Sequence, residues 1–269
     1  MKLDELGKIK NILEANLPLK IENQGKMLRS KIGLLFLKMF DIVIEEKYLK
    51  FLAIIELIHN ASLFHDDVID DETFRRGQDS LNKVYGEKKS ILFGNLTLSN
   101  TLSLLLEFDN LDLIADMNNC VKKMCYGELL QQDKLNKIPT INEYIKKTRL
   151  KTASLFKYMM SGLVLLSGLK FKDEFESFGD NFGVGFQISN DLKDYMLGVE
   201  NSNDVDNGVF TAPIIYAKSI KMDSNAIAKT KDLMDNYLKR AKTIVDMLGE
   251  GSNKKFKSEL IGVIKCLKI

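Results

Sequence analysis

The sequence predicts an all-α protein, and three observations carry that expectation. Only three prolines, Pro18, Pro139 and Pro213, interrupt 269 residues. Long stretches rich in Leu, Ile, Lys, Glu, Met and Ala carry helical spacing, and these residue types lose little on entering a helix. No run of alternating residues with hairpin turns stands ready to build a sheet. No interior stretch is rich enough in Gly, Ser or Pro to act as an interdomain linker, so residues 1–269 read as a single domain.

Helical spacing places elements over 3–16, 26–45, 48–71, 90–107, 110–134, 141–168, 171–197, 211–220 and 224–248. The third is the most apolar, with Phe51-Leu-Ala-Ile-Ile-Glu-Leu-Ile58 in its middle. Turn-like segments separate others at Arg76–Asp79, Lys137–Thr140 and Asn201–Gly208. Thr140 and Glu143, just after Pro139, form a capping-box pattern that starts the helix at 141. Gly179, Gly183 and Gly185 imitate a nucleotide-binding loop, but no strand precedes them, so close helix packing is the expectation there.

Charge is nearly balanced, 39 basic against 37 acidic residues for a net +2, so no global field draws nucleic acid. The N-terminal Met1-Lys-Leu-Asp-Glu-Leu6 lacks the apolar core of a signal peptide, and no segment has the length and purity of a membrane span. A cytoplasmic protein is expected. Cys120, Cys125 and Cys266 are an odd count without metal-ligand spacing, and read as reduced, mostly structural thiols.

Local charge is more telling. Leu63-Phe-His-Asp-Asp-Val-Ile-Asp-Asp-Glu-Thr-Phe-Arg-Arg-Gly77 sets four aspartates and two arginines directly after the apolar run. Residues four apart share a helix face, so Asp66 stacks over Asp70 and Asp67 over Asp71. Like charges so placed repel, and a buried carboxylate is costly unless paired. A hard divalent cation is the simplest compensation, and Mg²⁺ is commonly held by one or two carboxylates with water and substrate phosphate oxygens. Arg75 and Arg76 would grip those phosphates from the other side. A solvated acidic helix end would not need so apolar an approach. An EF-hand loop fails because Val68 and Ile69 fall where oxygen ligands and a turn glycine are required.

A second polar cluster closes another apolar helix, Gly185-Phe-Gln-Ile-Ser-Asn-Asp-Leu-Lys-Asp194. Gln187, Asn190, Asp191 and Asp194 fall at i, i+3, i+4 and i+7, one stripe. Alone it reads as a solvated stripe, yet opposite the first cluster it could share several ions. Lys26 and Arg29, His59, and Lys151 with Thr152 add donors suited to diphosphate oxygens.

This combination resembles the trans-isoprenyl diphosphate synthases, the polyprenyl synthetase family, over about residues 20–215, with medium- and long-chain members such as octaprenyl diphosphate synthase as the nearest type. The resemblance rests on Asp66-Asp67-Val-Ile-Asp70 with Arg75-Arg76-Gly77, and on Ile58-His-Asn-Ala-Ser-Leu-Phe-His65. It implies a single-domain bundle of antiparallel helices around a central cavity, the isoprenoid synthase type, and Mg²⁺-dependent condensation of an allylic diphosphate with isopentenyl diphosphate. Asp66 and Asp70, with Asp67, Asn190 and Asp191, would hold magnesium. Arg75 would hold the allylic diphosphate and Arg76 the isopentenyl diphosphate. Lys26, Arg29 and His59 match the isopentenyl side; Lys151, Thr152 and Gln187 match the allylic side. Catalysis would fall to Asp66, Asp70, Arg75 and Lys151, with no side-chain nucleophile. The tail would grow along the helix bearing the first motif, past Ala61 and Ser62, whose small size implies a medium- or long-chain product such as a quinone side chain. A homodimer is the expected assembly.

Three positions depart from the family pattern. Asn190 stands where the second motif opens with aspartate, Val209 where a diphosphate-binding lysine is usual, and Met27 where an arginine is usual. A catalytically weak subunit of a hetero-oligomer, a short-chain synthase and a terpene cyclase therefore stand as alternatives.

Overall fold

A computed structural model describes residues 3–21, 25–75, 77–198, 205, 207–249 and 252–269. Its helices are α1 (Leu3–Asn16), α2 (Leu28–Met39), α3 (Glu46–Ile69), α4 (Leu81–Tyr85), α5 (Glu87–Leu106), α6 (Leu111–Gln132), α7 (Ile141–Thr148), α8 (Ser154–Ser167), α9 (Lys172–Leu197), α10 (Ala212–Ala217), α11 (Ser224–Leu248) and α12 (Lys254–Lys265). Two two-residue strands, β1 (Phe74–Arg75) and β2 (Gln78–Asp79), pair antiparallel in the loop after α3. The expected all-α architecture is thus present, with one minimal hairpin where only a turn is expected.

Several expected boundaries move for local reasons. The helix expected over 26–45 stops at Met39, where Phe40 and Ile42 turn their N–H groups back onto α2 carbonyls. The segment 141–168 is not one helix but α7, a π-helical turn over Arg149–Ala153, and α8. The capping box of Thr140 and Glu143 starts α7 as expected. α12 lies beyond every expected helix, held by an Asn253 cap that accepts from Lys255 N.

α3 is the axis of the bundle. It packs on α5, α1, α8 and α2, while α9 packs between α8 and α11. From Phe51 to Ile58 every residue of α3 is buried, so the run expected from sequence is enclosed on all sides. Each such aliphatic side chain contributes roughly 1.5–3 kcal/mol by leaving water. The polar exception, Glu56, accepts from Ser30 N (3.0 Å) and Ser30 Oγ (2.8 Å). It thereby caps from outside the first turn of α2, whose own N-cap residue makes no side-chain bond, and fixes where Arg29 points.

Glycines set the tightest crossings. A Cβ on Gly127 of α6 would stand 2.5 Å from Lys151 N, and one on Gly183 of α9 would stand 2.6 Å from Ala153 Cα. The π-turn is therefore clasped between two helices that approach it backbone to backbone. Gly179 and Gly185 serve the same end against Lys157 and Leu238, the helix packing expected of this glycine set. Among the described residues no helix is long and apolar enough to cross a membrane, and all three cysteines are free.

Gly127→Ala should lower stability by about 1–3 kcal/mol, because the added methyl meets backbone that cannot rotate away. At this chain length that corresponds to a fall in Tm of roughly 2–4 °C per kcal/mol, readable by calorimetry. An unchanged Tm would show that α6 and the π-turn are not in contact.

Candidate functional site

α3, α5, α6, the π-turn, α8 and α9 enclose a cavity of about 790 Å³, within the usual range for a ligand site. Asp66, Glu128, Lys151, Thr152, Gln187 and Asn190 line it together with Arg75 from β1 and Arg29 from α2. Ile58, Leu98, Val121, Met124 and Leu155 supply apolar wall. Ile58 lies eight residues before Asp66 and Val121 seven before Glu128, about 10–12 Å along their helices. One end of the space is therefore charged and the other greasy.

At the charged end Lys151 Nζ stands 3.8 Å from Asp66 Oδ1 and is ion-paired with Glu128 Oε2. Glu128 Oε1 also accepts from Gln132 Nε2 (2.9 Å) and Gln131 Nε2 (3.3 Å). Burial pushes the Asp66 carboxyl up to about 6; Lys151 opposes that rise, and the nearby charges of Glu128 and Asp70 add to it. Glu128 goes the other way. Burial pushes it up, but Lys151 and the Gln132 bond outweigh burial and leave it below its ordinary value. Burial pulls the Lys151 ammonium down, and the facing carboxylates of Asp66 and Glu128 more than restore it. Lys151 thus stays charged between two acids that it keeps apart.

Asp67, expected among the metal ligands, is buried, forms an ion pair with Arg75, and is not on this cavity's wall. Successive helical residues point about 100° apart, so of the two neighbours Asp66 faces inward while Asp67 anchors the arginine. Asp70 caps α3 beside Asp66, its carbonyl accepting from Asn207 Nδ2 (2.7 Å).

The second cluster divides in the same way. Gln187 and Asn190 face the cavity, whereas Asp191 is buried beneath them. Tyr144 Oη donates to Asp191 Oδ2 (2.5 Å) and Gln187 Nε2 donates to Asp191 Oδ1 (2.7 Å). Thr152 Oγ1 in turn donates to Gln187 Oε1 (3.0 Å). Burial raises the Asp191 pKa, opposed first by Lys147 and then by these two hydrogen bonds. Both Asp191 oxygens are thus engaged, and the residue expected to hold metal stands as a buttress beneath Gln187. Asp194 points to solvent.

Arg29 and His59 reach the cavity, and the Arg29 guanidinium sits 4.7 Å over the Phe156 ring. Lys26 lies exposed in the turn before α2 and is off the cavity wall. Arg76 lies outside the described residues. Ser62, one turn before Asp66, is on the wall, but Ala61 is fully buried away from it. Of the two small residues expected to line the path of the tail, Ser62 alone is on the cavity wall. Two participants were not expected, Glu128 and Tyr144. Val121, Met124, Cys125 and Glu128 share one stripe of α6, a mostly apolar stripe with a single acid, and that is the signal that could have found Glu128. Tyr144 carries no such mark.

Among the described residues no three His, Cys, Asp or Glu side chains come close enough to hold a metal by themselves. The donor set still suits a hard cation that takes its other ligands from water and phosphate, since the half-buried Asp66 beside Asp70 and Glu128 is short of positive charge.

The polyprenyl synthetase family model matches residues 10–248. A decaprenyl-diphosphate synthase of Dictyostelium discoideum is 36% identical over 203 residues, covering 73% of this chain and 44% of the relative. The chain thus spans less than half the length of that relative. The heptaprenyl diphosphate synthase of Staphylococcus aureus superposes with a TM-score of 0.86 at 23% identity, covering 98% of this chain and 96% of the other. A Caulobacter crescentus polyprenyl synthase complexed with calcium and isoprenyl diphosphate superposes at 0.85 and 19% identity, covering 98% and 94%.

In chelator the wild-type protein should lose stability as pH rises from about 5 to about 7. A carboxyl raised to about 6 in the fold from 3.8 stabilises the fold fully below its unfolded pKa, and this contribution is lost as pH rises through the folded one. Asp66→Asn should remove this slope, on the order of 1–2 kcal/mol across that window. Urea unfolding of both proteins at the two pH values measures it, and parallel pH dependences would contradict the assignment.

Proposed function

We propose that this chain, which belongs to the polyprenyl synthetase family, is a trans-prenyltransferase that joins an allylic diphosphate to isopentenyl diphosphate. Successive head-to-tail steps would give a medium- or long-chain all-trans polyprenyl diphosphate. The observation that carries the reading is one cavity whose charged end, Asp66, Arg75, Glu128 and Lys151, continues into an apolar wall. Diphosphate and hydrocarbon are the two halves of such a substrate.

Mg²⁺ is the proposed cofactor, with Asp66 and Asp70 as its carboxylate ligands and Asn190 offering a neutral amide oxygen across the cavity. When bound, it would supply the positive charge that lets diphosphate depart from an allylic carbon. Calcium and isoprenyl diphosphate, the occupants of the Caulobacter protein, are of the same chemical kind. Lys151 and Arg75 face the departing oxygens and stabilise the charge that develops there. Thr152 and Gln187 orient the same group from the opposite side. Arg29 and His59 hold the isopentenyl diphosphate so that its alkene lies against the allylic carbon. The C–O bond breaks to diphosphate and an allylic cation, the alkene attacks, and a proton leaves to the released diphosphate. Leu155, Met124 and Val121 keep water from the cation while the tail extends beside Ser62.

A homodimer is part of the reading. Leu92, Leu96 and Leu106 of α5 and Tyr126 and Leu129 of α6 are exposed apolar side chains on neighbouring helices, a face that a second copy would cover. Three free cysteines suit a reducing, cytoplasmic compartment.

Purified protein given Mg²⁺, farnesyl diphosphate and isopentenyl diphosphate should yield elongated polyprenols after dephosphorylation; cyclised products or silence would displace this reading in favour of a cyclase or a dependent subunit. Asp66→Ala should cost at least about a hundredfold in turnover. Ser62→Phe should shorten the product, read by chromatography. Ala61→Phe should instead lower Tm by overpacking, and product shortening by Ala61→Phe alone would place the tail elsewhere.

A further inference from the structure

Tyr144 is not on the wall of the main cavity, yet three hydrogen bonds connect it to two residues that are. It is 1% exposed on α7, and its Oη donates to Asp191 Oδ2 (2.5 Å). Asp191 Oδ1 accepts from Gln187 Nε2 (2.7 Å), and Gln187 Oε1 accepts from Thr152 Oγ1 (3.0 Å). Gln187 and Thr152 face the cavity. Both ends of this chain of bonds come from one continuous segment, α7 and the π-turn that follows it, while its two middle members come from α9.

We propose that Tyr144 is a positioning residue for the allylic diphosphate: by supplying one of the two hydrogen bonds that Asp191 requires, it leaves the second amide hydrogen of Gln187 for a phosphate oxygen. The inference rests on the prenyltransferase reading above and adds to that site a residue from behind its wall. Donor counting carries it. A carboxylate only accepts, a primary amide has two N–H donors, and a phenol has one. Asp191 is 4% exposed, so its oxygens must be satisfied from within the protein, and one left bare there is costly. With the Tyr144 phenol on Oδ2, a single Gln187 hydrogen on Oδ1 completes the pair, and the other stays with the side chain at the wall. The polarity of the amide is fixed as well, because Nε2 faces the acid and Oε1 therefore faces Thr152. Without the phenol, Asp191 turns to seek another donor and takes Gln187, the donor already in place, with it.

Calorimetric titration with farnesyl diphosphate and Mg²⁺, without isopentenyl diphosphate, reads binding with no elongation. Tyr144→Phe, which deletes the hydroxyl and keeps the ring, should weaken binding about fivefold, and inorganic pyrophosphate, which has no tail, should show the same loss. Tyr158→Phe deletes another buried hydroxyl, one that donates to the Leu113 carbonyl at 3.2 Å and lies off the cavity wall, so it reports lost stability alone and should bind as wild type does. Gln187→Leu should lose about tenfold, and adding Tyr144→Phe to it should cost less than about twofold more, because the phenol acts through that amide. Binding of Tyr144→Phe within about twofold of wild type would overturn the proposal. So would an equal loss in Tyr158→Phe, a loss confined to farnesyl diphosphate, or losses that multiply in the double variant. The comparison of the two tyrosine variants stands whether or not Gln187→Leu folds. Wild-type protein that binds neither ligand would instead remove the prenyltransferase reading itself, and this inference with it.

Discussion

The site depends on one electrostatic constraint: two half-buried carboxylates, Asp66 and Glu128, share a single ammonium, Lys151. Burial alone would neutralise acids in such a place. Lys151 keeps Glu128 ionised but leaves Asp66 under-compensated, with a pKa of about 6. A polar end so arranged is in tension until more positive charge arrives. That is the electrostatic condition a metal and diphosphate site requires, and it explains why the cluster sits at the mouth of an apolar space rather than in solvent.

Geometry enforces the constraint. Lys151 and Thr152 project from a π-turn, a local widening of the helix that re-aims side chains and recurs at functional sites. The turn can exist there because Gly127 and Gly183 let α6 and α9 approach it at backbone distance. A side chain at Gly127 would push α6 off the turn and carry Glu128 away from Lys151, and one at Gly183 would push off α9 with Gln187. On the far side, Glu56 caps α2 and Phe156 supports the Arg29 guanidinium, so this cavity-lining cation is held by residues off the cavity wall.

Sequence made the helices legible where periodicity and capping agreed, as at Thr140 and along the apolar core of α3. It could not show the π-turn, because Arg149–Ala153 has ordinary helical composition and its break comes from neighbours packed against it. The acidic clusters were legible as clusters but not as individuals. Spacing places Asp66 and Asp67 in the same motif, yet one faces the cavity and the other faces Arg75, a distinction set by the rotation of α3 against α5. The same rotation separates Ser62 from Ala61. Glu128 was hidden because its partner Lys151 is 23 residues away in sequence, and pairing at that separation follows from tertiary packing alone.

The two sides of the cavity are unequal, and the inequality has a direction. The α3 side presents carboxylate, whereas the α9 side presents the amides of Gln187 and Asn190, with its one nearby acid, Asp191, locked beneath them by Tyr144 and Gln187. A cation shared between the sides would therefore be held mainly from α3. The α9 side would then act by shape and hydrogen bonding.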